Sequence, residues 1–486
     1  MPASPWRLPG VWIGFVGSVL VGVGACSNGF SFNPLGWGVG PIAALATTIS
    51  HDTGKLLVMS GCVLLSVGWL LLAPRPGRAV PARLWLLWAA PLVLVPPVMS
   101  GDPFLYADLG WILANGGNPY VDVLGSFGGP FEPFVDGFWA GNGVAYPPLA
   151  LEINRLMVQL AGMHPYWGVV AQRLPALLGV ALMATFLPRL ADRLGIDRSW
   201  TIWLGVLNPL TVVHLIGGAH NDTLMVGVVV FALWLSVQAV PRISASLVLA
   251  PIVIGLAMAL KQQAGLAVLA AAGLPVAAQL ARLPWLHRVL VLGWRTAVAT
   301  AVALVTFVGV SLATGLGFGW THWLSQMGRA RTMTLSVAIG DAFAWTGRDL
   351  MPLANTVLAI GAVLGIAALI LFRPERPLEA TAWGSLLVLF IGQALHPWYF
   401  GLSLALLALV PLGRIAAGWL VFGTFGYLTA YALTNLYVLT VLQSLTGGLL
   451  FGLAAFAVWM ATGSDLLPCG TSRTERQGVP RVTTLG

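Results

Sequence analysis

The chain has 486 residues and too few charged side chains to be a soluble protein. Charged residues make up 8% of it and hydrophobic residues 58%, whereas ordinary globular domains contain about 25% charged residues. A soluble protein of this length would need many more than 24 Lys+Arg and 16 Asp+Glu to cover its cores. The composition therefore predicts an all-α polytopic membrane protein. Membrane topology explains the net charge of +8 better than nucleic-acid binding does.

The apolar segments predict about fourteen transmembrane helices, because a helix needs about 20 apolar residues to cross a bilayer. The first segment, which follows Arg7, resembles a signal peptide ending at Cys26. The many later segments favour an uncleaved first helix instead. The predicted spans lie near 9–27, 54–73, 83–100, 165–188, 199–217, 222–240, 244–260, 263–281, 289–313, 353–372, 380–396, 398–413, 415–435 and 440–462.

The distribution of charge predicts the orientation. If Arg7 is cytoplasmic and the spans alternate, most basic residues fall on the cytoplasmic side, as the positive-inside rule requires. Both termini are then cytoplasmic, and most of the acidic residues face outward. We predict one transmembrane domain over 1–463, with external loops at about 100–165 and 314–352, and a flexible cytoplasmic tail at 464–486. The first loop is rich in Gly, Pro and aromatic residues, which indicates turns and short interfacial helices.

Asp102 stands at the end of the third predicted span, in Ser-Gly-Asp-Pro-Phe-Leu-Tyr-Ala-Asp. A carboxylate at the mouth of a hydrophobic helix is costly to desolvate, so it marks a candidate functional site. The structural alternative is a helix N-cap, because Asp followed by Pro is a favoured helix start. Asp108, six residues later, is interpreted as an exposed loop charge.

A second polar group lies in the short external turn after Gly217-Gly218, where His220, Asn221 and Asp222 are consecutive. Asp222 could instead cap the next helix, and Asn221 could serve the turn. One His beside one Asp lacks the spacing of a metal site. We predict no metal site and no certain cofactor, although a divalent cation is possible.

Cations on the predicted outer face indicate an anionic ligand, because that face is normally poor in positive charge. Lys261 lies in Lys-Gln-Gln between two spans, and Arg329 and Arg331 lie in the second loop. Lys and Arg both bind phosphate well. For Lys261 the alternative is a side chain that reaches toward lipid headgroups.

One external carboxylate with several cations suits glycosyl transfer from a sugar carried on a lipid phosphate. The phosphate is already a good leaving group, so one general base can deprotonate the acceptor hydroxyl while cations neutralise the departing phosphate.

Several short motifs resemble the actinobacterial polyprenyl-phosphomannose-dependent α-1,6-mannosyltransferases, which extend the mannan backbones of lipomannan and lipoarabinomannan. The Gly-Gly-x-His-Asn-Asp element at 217–222 is the most specific of them. The others are Asp102-Pro-Phe-Leu-Tyr106, Asn118-Pro119-Tyr120, Tyr146-Pro147-Pro148-Leu149, Asn208-Pro209 and Pro397-Trp398-Tyr399. The resemblance spans most of 95–440.

The resemblance implies a GT-C-type fold in the plasma membrane and an inverting reaction on its outer face. Asp102 would be the catalytic base, with polyprenyl-phosphate-mannose as donor and a mannan or lipomannan glycolipid as acceptor. We expect the donor phosphate at Lys261, Arg329 and Arg331. We expect substrate contacts from Tyr106, His220, Asn221, Asp222, Gln262, His396, Trp398 and Tyr399.

The chain also departs from the family pattern, which reads nearer Arg-Asp-Val-Tyr-Ser-Tyr around Asp102 and Tyr-Gly-Pro around Tyr146. Two alternatives therefore stay open. One is a transporter or flippase of a lipid-linked sugar, for which internal repeats would be expected. The other is a GT-C transferase that uses a different lipid-linked sugar.

Overall fold

A computed structural model describes residues 5–27, 37–75, 78–238, 245–327, 332–392 and 394–462. All regular secondary structure in these ranges is helical, and the predicted all-α polytopic fold is confirmed. The predicted tail at 464–486 lies outside the described residues, as do Arg329 and Arg331.

Within the described residues, the first half of the chain contains ten α-helices. They are α1 (Pro9–Ala25), α2 (Gly40–Thr48), α3 (His51–Leu71), α4 (Leu84–Ala89), α5 (Asp102–Ala114), α6 (Pro148–Leu160), α7 (Pro165–Ala171), α8 (Arg173–Leu194), α9 (Arg198–Thr201) and α10 (Asp222–Ser236). Helices α5 and α6 lie in the predicted first external loop, where short helices were expected.

The second half contains eleven further α-helices within the described ranges. They are α11 (Ala250–Met258), α12 (Val268–Gly273), α13 (Ala277–Leu280), α14 (Trp285–Ala313), α15 (Leu324–Met327), α16 (Leu335–Phe343), α17 (Met351–Phe372), α18 (Pro377–Val388), α19 (Phe400–Leu407), α20 (Arg414–Tyr437) and α21 (Val441–Thr462).

Seven helical segments in the described part of the chain are long and apolar enough to cross a membrane, which makes the chain a multi-pass membrane protein. An eighth is formed if Arg198–Val206 and Thr211–Gly217 are one span, bent by 57°. The bend falls at Asn208-Pro209, where proline cannot continue the helical hydrogen bonds. The seven are His51–Leu71, Pro165–Leu194, Gln262–Leu280, Trp285–Ala313, Met351–Phe372, Arg414–Tyr437 and Val441–Thr462.

Four of the remaining predicted spans coincide with the shorter apolar helices Pro9–Ala25, Asp222–Ser236, Ala245–Met258 and Pro397–Leu407. The predicted span 380–396 overlaps α18, which ends at Val388. One prediction is wrong. The segment 83–100 is helical only over Leu84–Ala89 and the 3₁₀ turn Ala90–Leu92. Pro91 lies in that turn, and Pro96 and Pro97 follow it. These prolines lack the N–H groups that would continue the helix.

Close helix packing in the first part of the bundle depends on glycine. A side chain at Gly61 of α3 would lie 2.6 Å from the backbone oxygen of Gly17 in α1. Larger residues cannot occupy these positions without separating the helices, as in other membrane proteins whose helices pack through small residues. Helix α1 also contacts α4 and the 3₁₀ turn Ala90–Leu92 that follows it.

Arg173 supplies the hydrogen bonds that the interrupted segment lacks. Its guanidinium is 1% exposed and uses all five of its N–H donors. Three go to the backbone oxygens of Val93, Val95 and Pro96, and two to those of Ile216 and Gly217, at 2.8–3.3 Å. The amide of Val98 also donates to Gly217 O at 3.1 Å. Non-helical backbone at membrane depth needs such partners.

Replacing Arg173 by Lys should destabilise the protein. A lysine has three donors, so at least two buried carbonyl oxygens would lose their partners, at about 1–3 kcal/mol each. We expect a clearly lower melting temperature for the Arg173→Lys protein, measured by thermal unfolding in detergent.

The matched control is Arg155→Lys, because Arg155 forms an exposed ion pair with Glu152. A surface change of this kind should alter stability by no more than about 0.5 kcal/mol. Equal melting temperatures for the two variants would show that the carbonyl network around Arg173 does not stabilise the fold.

Candidate active site

Asp102 is the first residue of α5, and its side chain does not cap that helix. Gly101 occupies the N-cap position and no side chain caps the turn. The Asp102 carboxylate is 20% exposed and lies within contact distance of two side chains from elsewhere in the site. Its Oδ2 is 3.3 Å from His220 Nδ1 and accepts a hydrogen bond from Tyr106 Oη at 3.2 Å. The N-cap interpretation of Asp102 is therefore wrong.

His220 is held in place by an aromatic stack. Its imidazole is fully buried and lies 3.5 Å from the Trp398 ring, nearly parallel to it. The His396 imidazole also stacks on Trp398, at 4.4 Å, and His396 Nδ1 is 3.5 Å from Tyr431 Oη. The turn from 396 to 399 thus positions the His220 ring against Asp102.

The surroundings of Asp102 favour its ionised form. Burial by itself opposes ionisation, but the adjacent His220 imidazole, with smaller contributions from His396 and Lys261, outweighs it and lowers the pKa of the carboxyl. Burial lowers the pKa of His396 to about 4. At neutral pH the site therefore contains a carboxylate beside a neutral His396, and a carboxylate is the form that a general base requires.

Lys261 and Asp222 form a buried ion pair in the same site. Lys261 Nζ is 2.7 and 2.8 Å from the two Asp222 oxygens, and the side chains are 13% and 0% exposed. Gln263 Nε2 also donates to Asp222, at 3.4 Å, and the Tyr399 ring lies 4.5 Å from Lys261 Nζ. Asp222 begins α10 without capping it by its side chain. Its function as the partner of Lys261 explains why a carboxylate is tolerated there.

Tyrosines connect Asp102 to the first long loop. Tyr106 Oη lies 3.4 Å from Tyr146 Oη, and Tyr120 Oη donates to Tyr146 O at 2.7 Å. Gln262 Nε2 donates to Ala145 O at 2.9 Å, so the loop is also fixed to the chain beside Lys261. These contacts give the Tyr-Pro-Pro motif a structural function, because they hold the loop against the site.

Two residues with left-handed backbone lie next to the two central side chains. Met99 has φ +49° and precedes Asp102 by three residues, and Ala219 has φ +52° and directly precedes His220. This conformation costs a non-glycine residue roughly 1–2 kcal/mol, and such residues cluster at functional sites. The strain is opposed by the Arg173 hydrogen bonds, which fix the backbone on the N-terminal side of both residues.

The Asp102 carboxylate opens into a cavity of about 250 Å³. Its walls are mainly aromatic, and a second carboxylate, that of Asp136, also lines it. The other lining side chains that bear on function are Tyr146, Trp323, His396, Trp398 and Tyr399. A partly buried carboxylate at one side of a mostly aromatic cleft is the arrangement expected of an active site.

The structure brings together most of the residues that the sequence singles out. Nine of them lie at or directly beside the cavity or the Lys261–Asp222 pair, namely Asp102, Tyr106, His220, Asp222, Lys261, Gln262, His396, Trp398 and Tyr399. Asn221 precedes Asp222, and its side-chain nitrogen is buried without a hydrogen-bond partner in the described ranges. Among the described residues there is no group of three or more His, Cys, Asp or Glu arranged to hold a metal ion.

Asp108 is not the exposed loop charge that its position in the sequence predicts. It is 1% exposed and accepts a hydrogen bond from the Gly125 amide at 3.1 Å. Burial raises the pKa of its carboxyl to about 6. The prediction is wrong because the loop folds back over α5, which a linear pattern does not show.

Sequence reasoning also did not select Arg173, Tyr146, Gln263, Tyr431 or the second carboxylate, Asp136, as site residues. Tyr146 stands in a Tyr-Pro-Pro motif that could have indicated it. Asp136, by contrast, sits in a Gly/Pro-rich loop with no regular period, so no signal marks it. The close approach of these groups arises from long-range folding.

The fold and this arrangement of carboxylate, imidazole and ion pair define a multi-pass membrane protein with a buried candidate active site. A family model described as "Alpha-(1->6)-mannopyranosyltransferase, N-terminal domain" matches residues 11–277. The chain belongs to this family of glycosyltransferases. The match includes Asp102, His220, Asp222 and Lys261, whereas His396 to Tyr399 lie beyond it.

Similarity to individual proteins extends over most of the chain. Alpha-(1->6)-mannopyranosyltransferase A of Mycobacterium tuberculosis is 29% identical over 436 residues, which is 83% of this chain and 80% of that protein. Alpha-(1->6)-mannopyranosyltransferase B of Corynebacterium glutamicum is 27% identical over 433 residues, covering 78% and 69%. The crystal structure of ArnT from Cupriavidus metallidurans in the apo state superposes with a TM-score of 0.37 at 15% identity, covering 86% of this chain and 78% of ArnT.

Removing one member of the Lys261–Asp222 pair should cost more stability than removing both. In Lys261→Met the buried Asp222 carboxylate loses its charge partner, at about 3–5 kcal/mol, whereas a pair of apolar residues is often tolerated. We expect the double variant Lys261→Met/Asp222→Leu to melt at a higher temperature than the single variant.

Arg198→Met is the control, because Arg198 pairs with Asp192 on the surface and such pairs contribute about 0–1 kcal/mol. Equal melting temperatures for the single and double variants would show that Lys261 and Asp222 are not energetically coupled.

Proposed function

We propose that the protein is an inverting glycosyltransferase that forms α-1,6 links with Asp102 as general base. It moves mannose from polyprenyl-phosphate-mannose to a hydroxyl of a mannan or lipomannan acceptor. The observation that supports this most directly is the position of Asp102, a carboxylate with a lowered pKa that contacts His220 and opens into an aromatic cavity. The relatives are named alpha-(1->6)-mannopyranosyltransferases, and we add the donor, the base and the inverting course to that reaction.

The proposed chemistry is a single displacement. The acceptor hydroxyl gives its proton to Asp102 as its oxygen attacks the anomeric carbon of mannose. The bond between that carbon and the phosphate oxygen breaks, and the electron pair leaves with the phosphate. A β-linked donor then gives an α-linked product. His220 holds the carboxylate and stabilises its negative charge before the proton is transferred.

The donor phosphate needs cations near the anomeric carbon, and we assign Lys261, Arg329 and Arg331 to it. Lys261 Nζ uses two of its three N–H donors on Asp222, which leaves one for a phosphate oxygen. The ion pair therefore fixes the ammonium in position and also reduces its net charge, so the arginines supply the larger part of the compensation. Lys261→Ala and Arg331→Ala should weaken donor use more than acceptor binding.

The remaining polar residues are assigned to substrate contacts. Tyr106, Gln262, His396 and Tyr399 lie near enough to the cavity or its rim to contact a sugar, and Asn221 has a spare donor. Trp398 is stacked on two imidazoles, so we assign it contact with sugar through the part of the indole that lines the cavity. Asp222 and His220 act through their partners.

We also propose a GT-C-type arrangement in the plasma membrane, with one transmembrane domain over 1–463 and both termini cytoplasmic, and with the active site outside. The contact of Asp102 with His220 and its proximity to His396 and Lys261 support one common side for these groups. That side is the outside when the interrupted segment 84–98 is counted as one crossing, which keeps the arginine-rich loops cytoplasmic. A transporter would be expected to place its polar site at the membrane midplane between repeated halves.

Replacing Asp102 by Asn should abolish transfer without unfolding the protein. The amide keeps the size of the side chain but accepts no proton, and loss of a general base costs roughly 10²–10⁴ in rate. We expect less than about 1% of wild-type turnover with polyprenyl-phosphate-mannose and a short α-mannoside, with product linkage determined for the wild type. Asp52→Asn is the control, since Asp52 is exposed on the same predicted side. Near-normal turnover by the Asp102→Asn protein would remove Asp102 from this function.

Replacing His220 by Ala should move the acidic limb of the kcat/KM profile to higher pH. The His220 imidazole, 3.3 Å from the carboxylate, lowers the pKa of Asp102, so that pKa rises when the ring is removed. Because the base must be ionised, a higher pKa means that activity begins to fall at a higher pH when the pH is lowered. His287→Ala, far from the site in sequence and exposed, should leave the profile unchanged. An unshifted acidic limb in His220→Ala would contradict the coupling.

A further inference from the structure

The cavity beside Asp102 has a second carboxylate that the proposed reaction does not use. Asp136 lines the same cavity as Asp102, together with Phe138 and Trp139 from the same turn and Trp323 from the second long loop. Asp136 is exposed, and its Oδ1 accepts a hydrogen bond from the Phe138 amide at 2.8 Å. Its Oδ2 accepts none from the described residues, so it is available to a ligand.

The turn that carries Asp136 is held in one conformation. The Asp136 carbonyl accepts hydrogen bonds from the amides of Trp139 and Ala140 at 2.9 and 3.0 Å, which close the turn. Two further bonds join its end to Leu124, from Gly141 N to Leu124 O at 2.9 Å and from Leu124 N to Asn142 O at 3.0 Å. A preorganised carboxylate binds a ligand without a large ordering cost.

Trp323 forms the opposite wall and joins the two long loops. Its indole nitrogen donates to Tyr120 O at 3.0 Å. Its ring lies against Gly143, where an added Cβ would be 2.2 Å from the indole. The Phe138 and Trp139 rings meet edge to face at 4.8 Å. Aromatic rings from two separate loops thus line the cavity that Asp136 shares.

The charges around this cavity decide which substrate fits it. None of the described residues that line it is Lys or Arg, and two are aspartates. The remaining titratable ring, His396, stays neutral at pH 7 because burial lowers its pKa to about 4. A phosphate in this cavity would be repelled by two carboxylates. A neutral sugar would instead donate hydroxyl hydrogen bonds to them and place its apolar faces against the rings.

We propose that Asp136, Trp139 and Trp323 form a binding subsite for the neutral acceptor saccharide, distinct from the donor phosphate site. One sugar ring of the acceptor presents its attacking hydroxyl to Asp102, while hydroxyls elsewhere on the acceptor donate to Asp136 Oδ2. Asp136 binds and orients but transfers no proton. This inference rests on the proposed function for the direction of the reaction, but the predicted binding of a saccharide can be measured without turnover.

The first test is equilibrium binding of a synthetic α-1,6-mannotriose to the full-length protein in nanodiscs without donor. Binding is measured by saturation-transfer NMR and titration calorimetry. Asp136→Ala should weaken binding about tenfold or more, as expected for loss of a hydrogen bond to a charged group. Asp136→Asn keeps the acceptor for the Phe138 amide and should lose less. Trp139→Ala should weaken binding, and Trp139→Phe should restore part of it.

The second test separates this subsite from the donor site and from the base. In steady-state transfer, Asp136→Ala should raise the KM for the acceptor about tenfold and leave the KM for polyprenyl-phosphate-mannose within twofold. Asp102→Asn should lose turnover yet bind the mannotriose within a few-fold of the wild type. Asp52→Asn is the matched carboxylate control for both measurements, and melting temperatures establish that each variant is folded.

The possible results differ clearly. Absence of mannotriose binding to the wild type, equal binding by Asp136→Ala and the wild type, or an equal rise of both KM values would each overturn the subsite. If the wild type bound mannotriose through Asp136 but transferred no mannose from the polyprenyl donor, the subsite would stand and the proposed reaction would fail. If transfer occurred normally and Asp136→Ala had no effect, the reaction would stand and the subsite would fail.

Discussion

The contact between Asp102 and His220 is the interaction on which the site depends, and it is made possible by a buried arginine. The two residues are far apart in the sequence, and each follows a backbone segment that has left regular helix. Arg173 binds the carbonyl oxygens of both segments at once. Since unpaired carbonyl groups are costly in a membrane interior, the guanidinium both stabilises the break in the helices and fixes the distance between base and imidazole.

The site separates charge in a way that suits two different substrates. Lys261 and Asp222 neutralise each other on one side, next to Tyr399, whereas Asp102 and Asp136 line the cavity. The anionic donor and the neutral acceptor that we propose would bind in two such different surroundings. The aromatic stack of His220, Trp398 and His396 lies beside Asp102 and keeps the carboxylate near low-dielectric material. Its ionisation then depends strongly on these neighbouring side chains.

Strain and rigidity are concentrated around the same residues. Met99 and Ala219 adopt left-handed backbone without being glycine, and the loops that carry Tyr146 and Trp323 are joined by hydrogen bonds to Tyr120. Holding reacting groups in a fixed geometry lowers the entropic part of a reaction barrier. The cost of that geometry is offset by packing in the helical bundle around it.

The sequence by itself determined that the protein lies in a membrane, that its fold is helical, and which residues form much of the candidate site. Low charge and long apolar segments require a lipid environment. Polar residues at the ends of apolar segments mark Asp102, His220 and Asp222, and a cation on the side that the positive-inside rule disfavours marks Lys261. These signals are local, so they survive without knowledge of contacts. The prolines at 91, 96 and 97 were equally visible, but the apolar composition of 83–100 concealed their effect.

Tertiary structure alone decided which of these residues meet and what each one does. Asp102 contacts His220 instead of capping a helix, Lys261 pairs with Asp222, and Asp108 is buried under a folded loop. Arg173 and Asp136 carry no periodic or motif signal, because their functions come from carbonyl groups and aromatic rings that are distant in sequence. Pairing between distant segments depends on how helices pack and where they break, and linear spacing does not encode that geometry.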